Sequence, residues 1–186
     1  MKLARLLFFV LLLGAVSCEQ DPALAPYSDL MTDEGGQDII FPMSTNEPVE
    51  YLVVHCTASP RDLTKEWLLD FFLNERGWSK PGYNLLVTMD GTLDTLVPYD
   101  LDGRVSYDEI AYGARGFNSV SIHVSYTGGV DYNLKPKDTR TPEQKATLQK
   151  VVDVVRCQFP GIEVVGHTEL PRVNKACPSF SVQREY

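Results

Sequence analysis

The sequence predicts a single α/β (α+β) domain in which a mixed central β-sheet is flanked by helices. Three observations predict it. Short β-branched or aromatic runs, at residues 51–54 and 162–165, are set among segments of helical spacing, so strands and helices interleave along the chain. Thr141-Pro142-Glu143-Gln144 is a capping box with proline at the first helical position, and apolar residues follow it at helical spacing. The chain has 186 residues, enough for one core but hardly for two once its N-terminal segment is set aside.

That segment carries Lys2 and Arg5 ahead of an apolar run over 6–16 and a small-residue end, the parts of a signal peptide over residues 1–17. The run is shorter than the roughly 20 residues a spanning helix needs. Ala15-Val16-Ser17-Cys18 resembles a bacterial lipobox. The resemblance implies a lipid on Cys18 and an exported lipoprotein anchored to a membrane, periplasmic or at the cell surface. Residues 18–48 contain four prolines and few apolar residues and read as a tether, partly packed through Ile39, Ile40 and Phe41. The domain proper is expected over 49–186.

Within it, Tyr51-Leu52-Val53-Val54 has the composition of a buried strand, with His55 at its end. Thr64 is the expected N-cap of a helix over 65–76, with Trp67, Leu68, Phe71 and Phe72 on one side and Gly77 as its stop. Residues 83–89 and 92–97 form a hairpin about Asp90-Gly91, a pair suited to the positive φ angles of a tight turn. Val120, Ile122, Val124 and Tyr126 alternate with Ser121, His123, Ser125 and Thr127, which predicts a strand with one apolar and one polar face, ended by Gly128-Gly129. After the capping box, Leu148, Val151, Val152 and Val155 mark one face of a helix reaching about Gln158. A short strand over 162–165 then delivers Gly166-His167.

Charge and cysteine content narrow the function. Without residues 1–17 the chain has 15 basic and 25 acidic side chains, a net charge of −10. Such a surface does not attract nucleic acid, and an anionic polymer would have to be held by local shape and hydrogen bonds. Leaving Cys18 aside, three cysteines remain. Cys56 and Cys157 either pair, which frees Cys177 for a metal, or stay as two buried thiols; spacing does not choose between these.

The chain has three histidines, and two of them, His55 and His167, directly follow short apolar strands, where side chains leave a sheet and line a cleft. Cys177 follows ten residues after His167, in Lys175-Ala176-Cys177-Pro178. Two imidazoles and a thiolate make a three-ligand zinc set with a fourth position open. Taken singly, each residue is equally well a buried structural group, and the spacing alone leaves the two readings level.

Val53-Val54-His55-Cys56-Thr57-Ala58, Gly82-Tyr83-Asn84 before Asp90-Gly91-Thr92, Asn118 with Ser121-Ile122, and Gly166-His167 before Lys175-Ala176-Cys177-Pro178 occur in this order. Together they resemble the type 2 N-acetylmuramoyl-L-alanine amidases, the family of phage lysozyme-like amidases and animal peptidoglycan recognition proteins, over residues 50–182. The resemblance implies that His55, His167 and Cys177 bind zinc in a surface cleft and that Tyr83 and Lys175 are catalytic. It implies hydrolysis of the amide between N-acetylmuramic acid and the L-alanine of the stem peptide, on peptidoglycan or a muropeptide, by a chain taken to be monomeric. His123, where relatives more often carry a small residue, is expected to narrow the cleft or touch substrate. Arg115 and Asn118 are further candidate substrate contacts. Two other readings compete: a recognition protein that binds peptidoglycan without cleaving it, and a zinc peptidase acting within the stem peptide.

Overall fold

The computed structural model describes residues 46–186. The expected signal peptide, the lipid-bearing Cys18 and the tether as far as residue 45 lie outside the described residues. Among the described residues, the first pairing is between β1 (Glu47–Pro48) and β5 (Arg104–Val105), antiparallel, so the last residues of the expected tether already belong to the fold.

The central sheet consists of β2 (Tyr51–Cys56), β3 (Leu85–Val87), β4 (Leu93–Thr95), β6 (Ser121–Tyr126) and β7 (Glu163–Gly166), in the spatial order β4-β3-β6-β2-β7. β2 runs parallel to both β6 and β7, β3 runs parallel to β6, and β4 alone is antiparallel to its neighbour. The expected mixed sheet is formed. Side chains alternate across it, and the register sets Val53 beside His123 and His55 beside Ser125 on one face. Leu52, Val54, Ile122, Val124 and Tyr126 take the other face, where α2 (Pro142–Gln158) covers them with Leu148, Val151, Val152 and Val155. The capping box of α2 is complete: Thr141 accepts from Gln144 N, and the Gln144 side chain accepts from Thr141 N.

The face carrying His55 is covered by α1 (Lys65–Asp70), with Leu68 and Phe72 packing on Leu86 and Leu96. Thr64 caps α1 as expected, accepting from Trp67 N at 3.3 Å. The helix continues over Phe71–Glu75 with wider turns, Arg76 N donating to Phe71 O at 2.9 Å, and stops at Gly77 with φ +64°.

Two expectations need correction. The hairpin between β3 and β4 is not closed by a two-residue turn with positive φ at both positions. Gly91 N donates to Thr88 O and Thr88 N to Thr92 O, with positive φ at Gly91 only, while Asp90 accepts from Thr92 N and from the Thr88 hydroxyl. This is a type I turn followed by a left-handed glycine, the usual three-residue hairpin loop. The alternation in β6 is correct, but its polar face is not solvated: Ser121, His123 and Ser125 are all buried. β6 is parallel to both of its neighbours, and parallel strands are covered on both faces.

Candidate metal centre

His55 is the penultimate residue of β2, and His167 follows β7 directly in a single 3-10 turn, His167–Glu169. β2 and β7 are parallel neighbours with Val54 beside Gly166, so both imidazoles emerge at the carboxyl ends of adjacent strands, where open α/β sheets form their clefts. The ring centroids stand 4.6 Å apart. Cys177 comes from the following loop, which is bound at several points. Thr168 N donates to Cys177 O at 2.8 Å, the Tyr126 hydroxyl to Pro178 O at 2.6 Å, and the Ser179 hydroxyl to Gly129 O at 2.7 Å. Gly166 permits this approach, since a Cβ there would fall 2.8 Å from Pro178 Cδ.

The ligand atoms of His55, His167 and Cys177 all lie within 4.8 Å of one another. His55 Nδ1 is 3.7 Å from Cys177 Sγ. A tetrahedral zinc ion with ordinary Zn–N and Zn–S bonds has an N···S edge of about 3.6 Å, which the His55–Cys177 pair already matches. Burial holds His55 well below the ordinary histidine range, helped by the charges of His123, His167 and Lys175. Burial, then Lys175, brings His167 down to about 4. Both rings are therefore neutral at physiological pH, the form that ligates a metal. The Cys177 thiol is pushed well above its ordinary value by its hydrogen bond with Cys56 and by burial. A divalent cation reverses that bias, because a coordinated thiol is deprotonated outright, and Cys56 N–H, 3.2 Å from Cys177 Sγ, donates to the sulfur.

The cluster forms the floor of a cleft of about 640 Å³ that is also lined by Tyr83 and Lys175. The Tyr83 ring lies 5.3 Å from that of His55, and its hydroxyl reaches Cys56 O at 3.5 Å. Burial, followed by the neighbouring Cys177 and Cys56 sulfurs, raises the Tyr83 phenol, so it remains an O–H donor. Lys175 is exposed at the rim.

The three other candidates are elsewhere. His123 is fully buried and does not line the cleft; it stands behind His55, with its Nδ1 3.1 Å from His55 Nε2. Asn118 uses its side-chain oxygen to accept from Ala114 N at 2.8 Å, closing the loop before β6, and Arg115 on that loop is exposed outside the cleft. Cys56 is free, so it does not pair with Cys157. Sequence reasoning missed the cleft's aromatic and basic wall: Trp67 stacks on Phe71, and Arg76 lies over Phe71 and Trp78, with Arg61 also lining the cleft. The signal was the excess width of the apolar stripe in α1. Leu68 and Phe72 pack on Leu86 and Leu96, and together with Trp67 and Phe71 they also line the cleft.

Comparison with known proteins agrees with this geometry. The family model described as N-acetylmuramoyl-L-alanine amidase matches residues 45–180. The endolysin of Enterobacteria phage K11 is 30% identical over 137 residues, covering 70% of this chain and 81% of that protein. The Drosophila melanogaster peptidoglycan-recognition protein SC1a is 24% identical over 185 residues, covering 94% of this chain and 92% of that protein. Among solved structures, the Ph2119 endolysin from the Thermus scotoductus MAT2119 bacteriophage superposes with a TM-score of 0.57 at 28% identity, covering 78% of this chain and 84% of that one.

Proposed function

The chain belongs to the N-acetylmuramoyl-L-alanine amidase family, and from that premise we propose that it is a zinc-dependent hydrolase of the amide joining N-acetylmuramic acid to the L-alanine of a peptidoglycan stem peptide. The observation that carries the reading is the convergence of His55, His167 and Cys177 in a cleft, three donors of the kind that would leave a tetrahedral zinc ion one position for water or substrate. When bound, zinc would supply Lewis acidity there, polarising the scissile carbonyl and making water nucleophilic near neutral pH.

The protein's own groups do the rest. One thiolate among the three ligands leaves a net positive site, which favours an oxygen gaining negative charge. Lys175 adds a second positive charge at the rim, where the amide oxygen becomes anionic as water adds to its carbon. Tyr83, kept as a phenol, orients the attacking water and passes a proton toward the nitrogen that leaves as the free amine of L-alanine. Tyr83→Phe is expected to retain zinc and lose about a hundredfold or more in kcat. Measured zinc content beside turnover checks this, and an unchanged kcat would remove Tyr83 from the mechanism.

The proposal is tested on purified protein with defined muropeptides. We expect one zinc per chain, release of stem peptides carrying a free L-alanine amine, and loss of release on chelation. A protein that holds zinc and cleaves no muropeptide would be a recognition protein instead, and cuts inside the stem would make it a peptidase. The export reading also belongs here: the mature protein is anchored through a lipid on Cys18, on the strength of residues 1–18. Intact-mass analysis of membrane-extracted protein checks it, and an unlipidated Cys18 overturns it.

A further inference from the structure

One buried group has no place in that mechanism. His123 is at the centre of β6, with 0% exposure, and its register partner is Val53 rather than His55. It therefore stands one pleat deeper than the metal ligand, on the same face of the sheet. Its Nδ1 is 3.1 Å from His55 Nε2, in a contact closed to solvent.

The two nitrogens of His55 are thereby assigned different tasks. Nδ1 faces Cys177 and is the atom available to a metal. A ligating Nδ1 must present its lone pair, so in a neutral ring the proton sits on Nε2. That N–H has His123 Nδ1 as its acceptor. His123 in turn must carry its own proton on Nε2, and that atom has no hydrogen-bond partner. A buried N–H without a partner keeps its full desolvation cost, which an apolar side chain in the same space would avoid. The orphan is thus the cost of having an acceptor at Nδ1.

The surroundings hold the ring there. His123 N donates to the Asn84 side-chain oxygen at 2.9 Å, and Asn84 N donates to His123 O at 2.9 Å, so one asparagine holds both backbone polar groups of His123. Gly113 lies against the ring, and a Cβ there would fall 2.6 Å from His123 Cγ and Nδ1. The loop before β6 therefore makes room for an imidazole at this point.

We propose that His123 is a positioning residue for the metal ligand His55: it accepts the Nε2 proton, fixes the tautomer that presents Nδ1, and holds the ring at the angle that meets Cys177. The inference rests on the zinc reading above for its consequence, but the tautomer itself is a property of the metal-free protein. Outer partners of this kind change metal affinity by about ten- to a hundredfold.

The experiment compares wild type, His123→Leu and His123→Asn by two measurements. Nitrogen NMR of the metal-free protein reads which His55 nitrogen bears the proton, and chelator competition reads the zinc dissociation constant. Wild type should show His55 protonated on Nε2. His123→Leu should give a mixed tautomer and about ten- to a hundredfold weaker zinc binding. His123→Asn, whose side-chain oxygen can replace Nδ1 as acceptor, should recover most of both. His55 protonated on Nδ1 in the wild type overturns the proposal even if neither variant folds. So does a leucine variant matching wild type in both measurements, or an asparagine variant as impaired as the leucine one, since the role would then be packing. Wild type that binds no zinc yet shows the Nε2 tautomer would sink the zinc reading and leave the positioning role intact.

Discussion

At the scale of single residues, the two cysteines at the centre are easily confused and do different work. Cys177 offers its sulfur to the cluster, whereas Cys56 contributes its backbone N–H to that sulfur and sets its own buried thiol beside it. Cys177→Ser should lose zinc and turnover together. Cys56→Ser keeps the backbone donor and should cost about 1–2 kcal/mol of stability through a buried hydroxyl, with turnover retained. Equal loss of zinc from both variants, measured by metal analysis, would show the assignment to be wrong. The histidines bear on pH. Burial lowers His123 to about 3, and burial and Lys175 lower His167 to about 4, against about 6.5 in an unfolded chain. Above pH 6.5 neither state is protonated there and the groups have no effect. As pH falls below 6.5 the unfolded chain takes up protons that the folded chain refuses, so stability drops until the folded pKa is reached. For His123 the loss between pH 7 and 5 is on the order of 2 kcal/mol. The urea midpoint of metal-free protein should therefore fall at pH 5, and an unchanged midpoint would contradict the burial of these rings.

At the scale of elements, those with local signals were the legible ones. The α2 capping box is complete between Thr141 and Gln144, three residues apart, and the Gln144 amide also donates across to Val87 O in β3 and to Thr127 O. Thr141→Ala should cost about 1 kcal/mol in chemical denaturation. A variant as stable as wild type would mean that the cap is replaced by other contacts. β6 shows the limit of such reading. Period-two alternation told which side chains share a face, and it put His123 with the polar set. It could not tell that this face is covered, because burial depends on which strands and loops lie alongside. α1 shows the same limit from the apolar side: its stripe was visible, and the cleft that the stripe lines was not.

At the scale of the whole molecule, the C-terminal segment closes the fold over the edge formed by β7 and the loop before α2. Arg140 is buried there, paired with Asp138 and bidentate to Glu185 in α3 (Val182–Glu185), with Phe180 against its guanidinium. The two acids are about a third exposed, so solvent screens the pairs and discounts them. Arg140→Ala should still destabilise by about 2 kcal/mol, since it leaves both acids unpaired and removes packing. Because the Cys177 loop lies between β7 and α3, zinc affinity should fall in this variant too. Melting together with zinc titration checks both effects.

What the sequence determined by itself was the kind of fold and its strand and helix order, because alternation and capping are written in neighbouring residues; His55, His167 and Cys177, which the structure brings together, were singled out by the run of motifs that resembles the family. It also placed Tyr83 and Lys175 at the cleft that the structure contains. Tertiary structure alone decided the neighbours across the sheet. His123 is 68 residues from His55 in the chain, and only the parallel register of β2 with β6 makes it the partner of that ring instead of a contact for substrate. Contacts between distant segments are set by register and packing, and a single sequence carries no local trace of them.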